Sequence, residues 1–272
     1  MYSPFDINEA VAHRKEYVEE GLRSGSPVVG MSYDGGLLLL TLRRTQRKVY
    51  EIYDRQMFSA IGRQSDIENV RLASIQNAHQ EGFERSPDDV TLQRMVGFAL
   101  SPALKKAFGD QMYVPVVIKA LFAEVGRTEA HDVFFTLNYD GEFRQHKRAA
   151  VIAGTQTAED RMLERIGESE DNGDTQGTAL ALDEALRKAL SAWSVGAREA
   201  MRRRSGIAKD DDEEELNPLR TIDEADADYV FLRDELKSAT LEVGLLERRN
   251  NRESRFRLLR DTEIDALTRE YR

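Results

Sequence analysis

Apolar positions recur with two different periods along the chain. Near the start, Ala10, Val11, Tyr17, Val18 and Leu22 fall roughly on one side of a helix, with Asn8 suited to cap it and Glu9 in its first turn. The spacing predicts a helix over 8–22, closed off by Gly21, Gly25 and Pro27. Two short apolar runs, 28–33 and 37–41, then flank Asp34-Gly35-Gly36 and predict a β-hairpin buried on both faces. A third run, 57–62, has the same look of a buried strand. The period turns helical over 66–85, through Ile67, Val70, Ser74, Ile75, Ala78 and Gly82. Asp88 and Asp89 are expected to open a second helix through Leu92, Met95, Val96, Ala99, Leu100 and Leu104.

Strands are predicted again over 114–124, 132–139 and 149–153, with Asp140-Gly141 as a turn. Helices follow over 155–166 and 180–204; the second carries Leu182, Leu186, Leu190, Trp193, Ala197 and Met201 on one stripe, and Arg202, Arg203 and Arg204 at its end complement the helix dipole. Six consecutive acids, 210–215, read with Asn217-Pro218 as a solvated loop. The stretch 220–237 reads as helix or disorder, 239–246 as strand, Asn250-Asn251 as turn, 255–259 as strand and 262–271 as a closing helix. Strands and helices thus arrive in blocks, with strand pairs joined by tight turns. That order predicts mostly antiparallel sheets, stacked face to face and covered by helices on both outer sides, because the strands are too apolar for either face to meet water.

Composition narrows the function classes. The 272 residues allow one large domain or two small ones, and the 49 acidic against 39 basic residues give a formal charge of −10. A surplus of acid argues against nucleic-acid or anionic-membrane partners, since phosphate neutralisation needs a basic face. No stretch approaches the roughly 20 apolar residues that cross a bilayer. The first 25 residues lack a leader's apolar run, so a cytoplasmic protein is expected. With no cysteine, disulfides, thiolate catalysis, zinc ribbons and iron–sulfur sites are excluded. Dinucleotide, phosphate-loop and nucleophile-elbow glycine motifs are absent. His13, His79, His131 and His146 are scattered, so neither a metal nor a cofactor is expected. His131-Asp132 reads as the start of an exposed strand in preference to half of a triad. One stretch reverses the global sign: Arg43, Arg44, Arg47 and Lys48 are either an exposed loop balanced by Glu51 and Asp54, or an anion-receiving patch.

Taken in order, Asn8-Glu9-Ala10-Val11 through Glu20-Gly21-Leu22, Ser26-Pro27-Val28-Val29-Gly30-Met31-Ser32-Tyr33-Asp34-Gly35-Gly36, and Lys48-Val49-Tyr50-Glu51-Ile52-Tyr53-Asp54-Arg55 resemble a known pattern. Asn69-Val70-Arg71 with Ile75-Gln76, Tyr139-Asp140-Gly141 and the run 241–247 continue it. The pattern is similar to that of proteasome core particle α subunits of the actinobacterial type. The resemblance implies an α+β, four-layer α-β-β-α sandwich of two antiparallel sheets between helix layers, the N-terminal nucleophile hydrolase fold in its inert α form. It implies one domain over 1–272, with a gate segment at 1–7, a helix at 8–22, an acidic insertion at 205–238 that projects as a loop, and closing strands and helix over 239–272.

Active relatives in that fold use a freed N-terminal Thr whose own amine is the base, an acid early in the second strand and a Lys. Here the matching positions carry Ser26, Leu42 and Lys48, which implies a non-catalytic subunit of a threonine-type endopeptidase complex. The implied partners are further copies in a homoheptameric ring, catalytic β subunits, and a ring-shaped ATPase or other activator whose C-terminal tails bind at Lys48, Gly25 and Arg47. Tyr2, Ser3, Pro4, Phe5 and Asp6 match the gate over the axial pore, and the apolar side of the first helix is expected against a ring neighbour. Two rival readings stay open. One is an active hydrolase exposing Ser26 after cleavage; the other is a scaffold of the same fold with no protease partner.

Overall fold

In the computed structural model, residues 4–167, 180–204, 224–249 and 252–269 are described. Among these residues ten strands form two five-stranded sheets, antiparallel at every pairing. The first sheet has the order β10-β9-β2-β1-β8, built from β1 (Val28–Tyr33), β2 (Gly36–Arg43), β8 (Ala149–Ile152), β9 (Thr240–Glu247) and β10 (Phe256–Leu258). The second runs β3-β4-β5-β6-β7, from β3 (Val49–Tyr53), β4 (Gln56–Gly62), β5 (Ile118–Glu124), β6 (Val133–Asn138) and β7 (Phe143–His146).

The leucine run of β2 shows how the layers assemble. Successive side chains on a strand point to opposite faces. Leu37 and Leu39 enter the core between the sheets with Met57, Leu121 and Phe134, whereas Leu38, Leu40 and Leu42 enter the core beneath the helices with Leu190 and Trp193. Each such leucine withdraws enough surface from water to contribute about 1.5–3 kcal/mol. A helix layer of α5 (Gln156–Ile166) and α6 (Leu182–Arg204), joined by α7 (Glu224–Glu235) and α8 (Asp261–Thr268), covers the first sheet. On the second sheet lie α2 (Gln64–Glu84) and a helix that runs from α3 (Leu92–Arg94) through a π-helical stretch (Met95–Leu100) into α4 (Ser101–Gly109). The four-layer sandwich expected from the block order is what the chain forms.

Several boundaries differ from expectation for physical reasons. The N-terminal helix α1 (Pro4–Leu22) begins four residues earlier than Asn8. Its Val18 and Leu22 are buried in the chain's own inter-sheet core and are not held out to a neighbour, while Val11 and Tyr17 stay exposed. Arg14 fastens α1 to the end of α4 by donating to the carbonyls of Ala107, Phe108 and Tyr113. Asp88 and Asp89 do not open the long helix: they sit in a single 3-10 turn, and extended Val90 breaks the chain before Leu92. Buried Glu124 supplies the missing cap by accepting the Leu92 N–H. Strand β5 starts at Ile118, later than expected, and Met201 lies outside the buried stripe of α6.

Strands β3 and β7 had no sequence signal, and they are the two edges of the second sheet. Residues 224–235 of the insertion form α7 and do not project. Asp228 takes Arg165 at 2.6 Å and Arg198 at 2.8 Å, and Phe231 stacks on Trp193. The acid run 210–215, Asn217-Pro218 and Asn250-Asn251 lie outside the described residues.

Candidate functional site

The site lies at one end of the space between the sheets. Thr41 pairs with Val28 on one side and with Glu242 on the other, so all three share the inter-sheet side of the first sheet. Ser26, two residues before Val28, reaches the same place: its Oγ lies 3.5 Å from Thr41 Oγ1 and donates to the Leu42 carbonyl at 2.8 Å. Thr41 Oγ1 donates to the Pro27 carbonyl at 2.7 Å, and Trp193 Nε1 reaches the same oxygen at 3.0 Å. Lys48, just before β3, closes the group by donating from Nζ to the Ser26 carbonyl at 2.6 Å and to Thr41 Oγ1 at 3.3 Å. Both acceptors are neutral. Burial therefore pushes the Lys48 ammonium down to about 7, with Glu242 opposing the change.

That geometry differs from an N-terminal nucleophile in three respects. The Ser26 nitrogen is locked in a peptide bond with Gly25, so it offers no free amine as base. The Ser26 hydroxyl directs its proton to a backbone carbonyl, not to a basic group. Leu42, at the position expected for an acid, is buried among Leu40, Trp193 and Leu241. The chain leaving α1 is also wedged in place. Gly25 N–H bonds to the Leu22 carbonyl at 2.8 Å, and a Cβ on Gly25 would stand 2.7 Å from Ile61 Cβ. A Cβ on Gly154 would stand 2.7 Å from the Arg23 Cα and from the Leu22 carbonyl oxygen. The bareness of Gly25 is thus already required by Ile61 of the same chain.

The cationic patch is held from beneath. Its balancing acids are not Glu51 and Asp54 but Glu242 and Glu235. Glu242, only 5% exposed, accepts the backbone N–H groups of Lys48 at 3.0 Å and Val49 at 3.2 Å. The same carboxylate pairs with Arg43 Nε at 3.4 Å and with Arg47 Nε at 3.6 Å. Arg44 reaches Glu235 at 3.2 Å and Ser238 at 3.1 Å. Glu242 and Thr41 are the members of this candidate site that sequence reading missed. Each is a lone polar residue within a buried apolar strand, and that was the available signal.

Other candidates fall elsewhere. The backbone of Pro4, Phe5 and Asp6 forms the first turn of α1, while Tyr2 and Ser3 lie outside the described residues. Asp132 does not begin an exposed strand: it is buried, accepts the Gly126 N–H at 2.9 Å and pairs with Arg248. His131 meets Thr128 instead. Among the described residues no group of three or more His, Asp or Glu side chains is placed to hold a metal ion, and no helix is long and apolar enough to cross a membrane.

No family model matches the chain. Curated relatives do. A proteasome subunit alpha of Actinosynnema mirum is 32% identical over 256 residues, 93% of this chain and 82% of the relative. Proteasome subunits alpha of Xylanimonas cellulosilytica and Frankia casuarinae are each 30% identical over 201 residues, 72% of this chain and 77% and 79% of theirs. With identity of that level running along most of both chains, this protein belongs to the family of proteasome α subunits.

Proposed function

We propose that the chain is the non-catalytic outer-ring subunit of a bacterial proteasome, acting in intracellular protein degradation. Seven copies form a ring that stacks on catalytic β subunits, restricts entry to the proteolytic chamber and docks a ring-shaped ATPase or other activator through its C-terminal tails. One observation carries the reading: the place of the nucleophile is occupied by a serine with an acylated nitrogen, and its lysine is turned onto the Ser26 carbonyl. A lysine so placed has no nucleophile to activate. Two of its three ammonium protons are used within the chain, and the third is available to a tail carboxylate.

The tail site comprises Lys48, Arg47 and the neighbouring Gly25 turn. The gate comprises Tyr2, Ser3, Pro4, Phe5 and Asp6, whose point of departure is fixed by the anchoring of α1 through Arg14, Val18 and Leu22. Phe83 and Phe98, 93% and 77% exposed on the α2 and α3–α4 layer, supply apolar surface suited to a stacked ring.

The test is co-expression with a candidate catalytic β chain, followed by electron microscopy and a peptidase assay. Stacked rings with activity are expected, and single rings without a partner would sink the reading. In the assembled particle, Lys48→Ala is expected to leave ring size unchanged and to abolish activator-stimulated degradation. Unaltered stimulation would remove Lys48 from the tail site.

A further inference from the structure

Thr45 stands at the tip of the connection between β2 and β3, on a bend of the chain, with its side chain exposed. The neighbouring hydroxyls are engaged. Ser26 donates to the Leu42 carbonyl, Thr41 to the Pro27 carbonyl and Tyr50 to the Arg47 carbonyl at 2.5 Å, while Ser238 accepts Arg44 at 3.1 Å. Among the described residues, no hydrogen bond reaches the Thr45 hydroxyl. The flanks of the tip are fixed, because Glu235 holds Arg44 at 3.2 Å and Glu242 holds the backbone N–H of Lys48 at 3.0 Å. Arg43, Arg44 and Arg47 all lie within two residues of Thr45. Arg43 and Arg47 touch Glu242 through Nε, at 3.4 and 3.6 Å, and among the described residues no hydrogen bond takes up their Nη atoms. Three arginines over the carboxylates of Glu235 and Glu242 leave a local charge of +1 before Lys48 is counted. An unpartnered hydroxyl on an anchored tip, with open guanidinium edges on both sides, has the features of an acceptor for a phosphoryl group.

We propose that Thr45 is a phosphorylation site, and that its phosphate is clamped by Arg43 and Arg47 and closes the loop to anionic C-terminal tails. The closure rests on the proposed docking of tails; the clamp does not. A protein kinase that reads arginine-flanked sites transfers the group from a nucleoside triphosphate. The bond from the terminal phosphorus to the nucleoside diphosphate breaks, a phosphorus–oxygen bond forms to Thr45 Oγ1, and the hydroxyl proton passes to the base of the kinase. The product carries a charge of about −1.5 to −2 and three acceptor oxygens, which a guanidinium takes with two nitrogens at once. The charge of the arginine loop thereby changes sign, and an incoming carboxylate meets repulsion where it met attraction.

The assignment is tested on the purified full-length chain with ATP and a kinase catalytic domain selective for arginine-flanked threonine, the modified residue being mapped by tandem mass spectrometry. Thr45 is expected to take phosphate roughly tenfold faster than any other Ser or Thr; a chain unmodified at Thr45 would overturn the assignment. For the clamp, phosphothreonine is installed at position 45 during translation and titrated by phosphorus NMR. Its second ionisation, about 6 in an open chain, is expected to fall by about one unit, and Arg43→Gln or Arg47→Gln to restore part of the shift. A value unmoved from that of the open chain would overturn the clamp. In the assembled particle, phosphorylation is expected to leave basal peptidase activity as it was and to abolish activator-stimulated degradation, whereas Thr45→Val treated with the same kinase keeps its stimulation. Stimulation that survives phosphate but is lost in Lys48→Ala would leave tail docking standing and overturn the closure. Stimulation that survives both would remove tail docking and the closure together, with the clamp decided by the NMR titration alone.

Discussion

Glu242 accepts the backbone N–H of Lys48 at 3.0 Å across 194 positions of sequence, so the closing strands of the chain set the start of β3. The carboxylate has two N–H donors and two guanidiniums, and among the described residues Glu242 is the acceptor of both N–H groups. Leaving buried N–H groups without their acceptor costs about 1–3 kcal/mol, whereas the two partly open guanidiniums can turn to water. Glu242→Ala is therefore expected to lower unfolding stability by about that amount in urea. Glu242→Gln, which keeps an acceptor for the backbone, is expected to cost roughly half as much. Equal stability of the wild type and Glu242→Ala would show that the cluster does not secure β3.

The Lys48 ammonium brings a pH dependence with a definite sign. Its folded value of about 7 lies below the ordinary 10.5, so between these values the unfolded chain holds a proton that the native chain has released. Stability therefore rises with pH through that window, by up to about 1.4 kcal/mol per unit. Below pH 7 both states are protonated, and the cost of enclosing the charge is borne in full. Lys48→Met is expected to gain most over the wild type near pH 6, with the difference shrinking toward pH 10. Thermal melts at fixed ionic strength measure it; a difference that does not vary with pH would refute the assignment.

The turn at 153–155 presses on the end of α1 through Gly154, where an added Cβ meets backbone atoms that no side-chain rotation can move aside. Gly154→Ala is expected to destabilise the chain by about 1–3 kcal/mol. It is also expected to speed amide exchange at the end of α1 before any other helix. Uniform loss of protection across the sandwich would point to a different origin.

Asp228 is the clamp of α7. Asp228→Ala leaves Arg165 and Arg198 without their carboxylate and is expected to release α7 from α5 and α6, while the two sheets remain folded. Hydrogen exchange reads this directly: fast exchange in 224–235 against unchanged protection in β1 and β2. Retained protection of α7 would mean that Phe231 and Leu232 suffice to dock it.

If Ser26 plays no part in hydrolysis, the chain purified from a β-containing particle is expected to show its full mass by intact-mass measurement. Ser26→Ala is expected to leave peptidase activity within twofold of wild type. Loss of the first 25 residues, or loss of activity in the variant, would favour the hydrolase reading.

The two-sheet plan was legible because its central strands are nearly pure apolar runs, as in β2 and β4. Strands β3 and β7 escaped because an edge strand has only one neighbour, and the half-exposed sequences Val49–Tyr53 and Phe143–His146 carry no such run. The long helix was placed too early because acids favour a helix start in general, while here buried Glu124 caps Leu92 from another strand. In the site, Ser26, Leu42 and Lys48 could be matched by order along the chain. Glu242 could not, because only the β2–β9 ladder brings it opposite Thr41. Gly25 was matched to the tail site by order along the chain, and its bareness is also what Ile61 of the same chain requires, a need that only the folded sheets reveal.

The wedged exit of α1 has a kinetic consequence. The Gly25–Ser26 bond follows a residue that is hydrogen-bonded to Leu22, pressed on Ile61, and connected to a helix anchored in the inter-sheet core. A protease must hold several extended residues on either side of the bond it cuts. The bond therefore becomes a substrate only in those molecules where the end of α1 has come away, and the rate of cutting follows the population of that open form. Any treatment that loosens α1 sets the lifetime of the intact chain, even if it leaves the sandwich untouched.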